Sequence, residues 1–84
     1  MGVSVDYLSF VEHLIRPLLM HPDCLQVKQL PSGDGALFIQ ALVAPDDLGR
    51  VIGKQGRTAS ALRNLVIMAA AKDGNRMKVN FDAI

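Results

Sequence analysis

The chain has no tryptophan, one tyrosine and one cysteine in 84 residues, and each scarcity closes off a class of function. Cys24 stands alone and cannot form an internal disulfide, so the fold holds without covalent staples and a reducing, cytoplasmic setting is expected. With Tyr7 the single tyrosine, a binding face built from stacked aromatic rings has little to work with. No apolar run approaches the roughly 20 residues needed to cross a bilayer, and the N-terminal stretch lacks the basic-then-apolar pattern of a secretory signal. His13, His21 and Cys24 have no recognised zinc spacing and no fourth partner, so neither a metal nor a cofactor is expected. Asp46 and Asp47 are adjacent, yet no nucleophile or base accompanies them. They read as helix-terminal acids, and no enzyme is expected.

What is present fits one folded domain spanning residues 1–84: half the residues are hydrophobic and a fifth are charged. The net charge of +1 hides an asymmetry. Residues 50–63 carry Arg50, Lys54, Arg57 and Arg63 with no acid, leaving five bases against eight acids elsewhere. Such local clustering marks a face for an anionic ligand, while the low total charge predicts a salt-sensitive affinity of modest strength.

Hydrophobic periodicity gives the order of elements. Between 4 and 20, Leu8, Val11, Leu14, Ile15, Leu18 and Leu19 recur at three- and four-residue steps, predicting an amphipathic helix with Ser4 as cap. Pro17 removes a backbone donor, so a kink or a new final turn is expected there rather than a clean stop. A hairpin is predicted over 24–43, turning at Pro31-Ser32-Gly33-Asp34-Gly35. Its second strand is apolar on both faces, through Leu37, Ile39, Ala41 and Val43 and through Phe38 and Leu42, which suggests a central strand. Over 46–73 a short helix, a glycine loop and a long helix follow; Thr58, Leu62, Leu65, Val66 and Ala69 are expected on the core side of the long one. Ala61, Ile67, Met68 and Ala71 lie off that stripe and are candidates for a dimer interface. A last strand is predicted over 76–81.

The loop itself is Val51-Ile52-Gly53-Lys54-Gln55-Gly56-Arg57. Glycine admits positive φ and close approach by a ligand, and a helix starting straight after the loop offers unpaired N–H groups to an anion. A nucleotide P-loop is a poor match: Gly49-Arg50-Val51-Ile52-Gly53-Lys54 is one residue short, Gln55 stands where Ser or Thr would meet magnesium, and a helix precedes it.

Placed between two helices and before a final strand, Gly53-Lys54-Gln55-Gly56 resembles the GXXG signature of K-homology (KH) domains. The whole chain is similar to the KhpA family of small bacterial single-KH proteins, with Asp46 through Thr58 as the most specific part. The resemblance implies an α+β fold of type II KH order, α-β-β-α-α-β, with helices on one face of a three-stranded sheet. It implies single-stranded RNA as partner, bound without catalysis by an RNA chaperone or post-transcriptional regulator of low sequence specificity. Carried over, Gly53 and Gly56 admit the RNA backbone, Lys54 and Gln55 are the variable pair, and Arg57 neutralises a phosphate. Val51 and Ile52 line the groove, and Arg50 and Arg63 add charge. Ala59 stands where many KH domains have a larger aliphatic residue, implying a shallower groove floor. The resemblance also implies a homodimer, or a heterodimer with a larger KH-containing partner of the KhpB (Jag, EloR) type, linked to cell-wall synthesis and cell division. No membrane or small-molecule partner is implied.

Overall fold

The structure, a computed structural model, describes residues 6–84. Ser4, the expected helix cap, therefore lies outside the described residues. Helix α1 (Tyr7–Ile15) is capped by Asp6, whose carboxylate accepts from the amides of Leu8 at 3.1 Å and Ser9 at 3.2 Å. The Ser9 hydroxyl and these amides hold the Asp6 carboxyl below its ordinary pKa. Pro17 cannot extend the helical ladder, and the chain tightens into a 3-10 turn over Arg16–Leu18. A second such turn covers Pro22–Cys24, so the first strand begins later than expected.

Strand β1 (Gln26–Pro31) pairs antiparallel with β2 (Leu37–Val43), and β2 pairs parallel with β3 (Met77–Ala83). The order β1-β2-β3 makes β2 central. Helix α2 (Pro45–Ile52) and helix α3 (Arg57–Lys72) form the crossover from β2 to β3. This is the α-β-β-α-α-β order of a type II KH fold. Ile39, Ala41 and Val43 of β2 and Met77, Val79 and Phe81 of β3 are buried at alternate positions, the period expected of strands with one face in the core. Val11 and Ile15 of α1, Val51 of α2, and Ala59, Leu62, Val66 and Ala70 of α3 join them in one core.

One expectation fails on α3. Leu65 is 47 % exposed and Thr58 is half-buried, whereas Ala59 and Ala70 are buried. The buried stripe runs through Ala59, Leu62, Val66 and Ala70, and Leu65 falls one position off it. Ala59 is consequently a core residue, not the floor of an open groove.

The β1–β2 turn is tied across to the start of β3. Asp34 accepts from the Ser32 hydroxyl at 2.6 Å, the Ala36 amide at 3.1 Å and Lys78 Nζ at 3.0 Å, while its carbonyl accepts from Arg76 at 2.9 Å. The Ser32 hydroxyl, then the Ala36 amide and Lys78, hold the Asp34 carboxyl well below its ordinary 3.8. A depressed folded-state pKa stabilises in full above the unfolded value and is lost as pH falls from there towards the folded value. Asp34→Asn should therefore unfold at lower urea than wild type at pH 7, with the gap closing as pH drops below about 4. Equal gaps in urea midpoint at pH 7 and pH 3 would count against this account.

Candidate nucleic-acid interface

The glycine loop is built by a helix that has to stop and another that has to start within four residues. Helix α2 ends when the Gly53 amide donates to Gly49 at 2.9 Å and Gly53 turns to φ 75°, ψ 176°, a conformation open essentially to glycine alone. A single 3-10 turn over Lys54–Gly56 follows, closed by the Gly56 amide on the Gly53 carbonyl at 3.2 Å. Gln55 sits at φ 57° and Gly56 at φ 75°, both left-handed, and α3 starts at Arg57. Three positive-φ residues in four give a tight knuckle at a helix N-terminus; the amides of Gly53, Gly56 and Arg57 are bonded within it, and those of Lys54 and Gln55 have no backbone acceptor among the described residues. Nests of this kind attract anions.

Lys54, Gln55 and Arg57 are exposed on this knuckle. Among the described residues neither Lys54 nor Arg57 makes an ion pair; Arg57 makes one long hydrogen bond, 3.4 Å, to Gln55 Oε1. The structure brings these three together with Gly53 and Gly56, as the spacing implied.

The other expected site residues are placed differently. Val51 is wholly buried, so its side chain packs the core and does not line a groove; the alternation that puts Leu48 and Ile52 half-out puts Val51 inward. Ile52 is half-buried against the core and keeps some accessible surface. Arg50 turns away along α2, its Nη2 at 2.8 Å from Met20 Sδ and its Nε at 3.8 Å from Asp47. Arg63 donates from Nε to the Val79 carbonyl at 3.1 Å and lies over the Phe81 ring, 5.7 Å from its centroid. Both arginines are engaged by the protein, which leaves Lys54 and Arg57 as the mobile cations of the loop. Spacing could not reveal the contacts to Met20 and Val79, which are 30 and 16 residues away.

The residue that sequence reasoning missed is Asp47. It is fully buried, and it accepts from the amides of Met20 and His21 at 2.9 Å each. Burial alone would raise its pKa; the two amides, with the charges of His21 and Arg50, outweigh it and keep the carboxyl below its ordinary value. Asp47 thereby pins the α1–β1 connection to the first turn of α2 and fixes the helix that presents the loop. Its position beside Asp46, which is exposed, gave no signal in the sequence. Among the described residues no three His, Cys, Asp or Glu side chains gather as a metal site, and no helix is long and apolar enough to cross a membrane.

A family model described as KhpA/KhpB, KH domain matches residues 9–81. The chain belongs to the KhpA/KhpB KH-domain family. Its relatives include the RNA-binding protein KhpA of Halalkalibacterium halodurans, 46% identical over 72 residues, covering 86% of this chain and 93% of the relative. The RNA-binding protein KhpA of Mycobacterium tuberculosis is 50% identical over 64 residues, 76% of this chain and 79% of that one. Among solved structures, Aquifex aeolicus Era matches all of this chain with a TM-score of 0.64 at 14% identity. This chain corresponds to 34% of the Era chain, and at that identity the likeness is one of fold alone. In the KhpA/KhpB fold the knuckle is thus the element between the two crossover helices.

If Asp47 is the pin that orients α2, Asp47→Asn, which turns a donor towards one of the two amides, should lower the urea midpoint of unfolding clearly, while Asp46→Asn leaves it almost unchanged. Equal effects at the two positions would remove Asp47 from this role.

Proposed function

We propose that the protein binds single-stranded RNA through the Gly53–Gly56 knuckle, without catalysis and with low sequence preference, as an RNA chaperone or post-transcriptional regulator in the cytoplasm. The observation that carries this reading is the coincidence of a positive-φ glycine knuckle and two exposed cations without an ion pair, Lys54 and Arg57, at the start of α3. An RNA backbone supplies phosphates that such a knuckle can hold one at a time, with Gly53 and Gly56 keeping side chains out of the way. Membership of the KhpA/KhpB family, and the RNA-binding proteins among its relatives, support the same conclusion. Arg50 and Arg63 contribute by holding α2 and α3, not by neutralising phosphate. Ile52 offers the RNA some apolar surface beside the loop; Val51 does not.

A second reading concerns association. Phe10 of α1 with Leu65, Met68 and Ala69 of α3 lines an apolar hollow bordered by Lys72 and Asp73. Met68 is 61 % exposed and Leu65 47 %. A lysine and an aspartate side by side at one end of such a hollow can pair reciprocally across a two-fold axis, so the occupant that fits is a second KH domain of the same kind, in a homodimer or on a KhpB-type partner. Met68 lines this hollow together with Leu65, and exposed Ala61, four residues before Leu65, continues the same helix face; Ala71 is exposed outside the hollow, and Ile67 is half-buried against the core.

The RNA reading is tested by titrating wild type and the Lys54→Asp, Gln55→Asp double variant with a labelled unstructured RNA at several salt concentrations. Wild type should show a log–log salt slope near −1.4, about −0.7 for each of two neutralised phosphates, and the variant should bind at least about tenfold more weakly. Equal binding by both folded proteins would refute it. For association, Leu65→Glu and Met68→Glu should each give a monomer by light scattering with an unchanged melting temperature, whereas Ile67→Glu should unfold.

A further inference from the structure

The two glycines of the knuckle are alike in sequence and in φ, but they face different surroundings. A Cβ at Gly56 would meet nothing within 4 Å. A Cβ at Gly53 would overlap the Thr58 hydroxyl oxygen and come within 2.6 Å of Thr58 Cβ and 3.0 Å of the Thr58 amide nitrogen. Thr58, the second residue of α3, therefore lies directly against the Gly53 backbone. Glycine is demanded at 53 twice, by its φ and by a neighbour, whereas at 56 it is demanded by φ alone and the space beside it is open.

We propose that Thr58 is the positioning residue of the loop: its side chain acts as a wedge that seats Gly53 and so fixes the direction in which Lys54 and Gln55 present their amides and side chains. The open side of Gly56 is where the RNA backbone comes closest. This rests on the reading of the loop as the RNA clamp, but the wedge itself is a property of the free protein. The contact is short and local: a residue on the rigid helix α3 sets the end of α2, so the knuckle is held from both flanks. Thr58 is half-buried and carries no charge, which separates its role from that of Lys54 and Arg57. A wedge acts through shape, so its loss should lower affinity without altering how many phosphates are neutralised.

The test uses the full chain, a short fluorescein-labelled oligouridine, and amide NMR spectra of the free protein. Thr58→Ser keeps the oxygen against Gly53 and should bind within about twofold of wild type, whereas Thr58→Gly should bind about tenfold more weakly with the same salt slope. In the free Thr58→Gly protein, the amide signals of Lys54 and Gln55, which are not its sequence neighbours, should move. Gly53→Ala should also lose binding, and the Gly53→Ala, Thr58→Gly double variant should lose less than the product of the two single effects, because removing the wedge relieves the overlap with the new methyl while the backbone strain at φ 75° remains. If Thr58→Gly does not fold, Thr58→Ala supplies the same two single-variant readouts. The proposal is overturned if the Lys54 and Gln55 signals stay in place, if the double variant loses the full product, or if the salt slope falls by about 0.7, which would make the hydroxyl a direct phosphate ligand. Should wild type fail to bind oligouridine, the RNA reading falls, and the free-protein spectra still decide the role of Thr58.

Discussion

The parallel pairing of β2 with β3 is the constraint on which the rest of the molecule depends. Two parallel neighbours cannot be joined by a tight turn; the chain has to travel back over one face of the sheet before the second can begin. Here the return path is two helices, and the point where they meet has to reverse direction in very few residues. The glycine knuckle is the solution to that geometric demand. Its run of positive-φ residues is a by-product of the strand order. Seen this way the fold does not merely carry the site: the same connection that completes the sheet creates it.

The reversal then has to be rigid, and three polar contacts from distant parts of the chain make it so. Asp47 anchors the start of α2 to the α1–β1 connection, Arg63 anchors α3 to β3, and Tyr7 donates to Asp73 where α3 ends. Each joins elements far apart in sequence. With the flanks fixed, the loop displays Lys54 and Arg57, which make no ion pair among the described residues, from a backbone held on both sides.

Much of this was legible in the sequence. The three- and four-residue steps of Val11 and Ile15, the two-residue steps of Ile39, Ala41 and Val43, and the glycine spacing at 53 and 56 are local signals, and the elements they announce are present. What was not legible depends on tertiary distance. Leu65 satisfied the helical period as well as Ala59 and Ala70 do, but hydrophobicity alone cannot show which of two adjacent stripes, the one through Leu65 or the one through Ala59, Leu62, Val66 and Ala70, turns to the core. Asp47 and Asp46 are the same residue type one position apart; one is entirely buried and the other exposed because the Met20 and His21 amides, more than 25 positions away, happen to reach the first. Arg50 and Arg63 looked like two more phosphate ligands for the same reason. Charge is visible in a sequence, but its partner is not.

Arg63 has one more consequence. Strand β3 has a neighbour on one side only, and a bare strand edge is a template on which another chain can add a strand. The guanidinium occupies the Val79 carbonyl in the middle of that edge and covers Phe81, while Lys78 and Asp82 place charges on either side. A strand docking there would have to displace a charged hydrogen bond and bury two ions. Arg63 thus occupies part of the open β3 edge on which a further strand would have to pair.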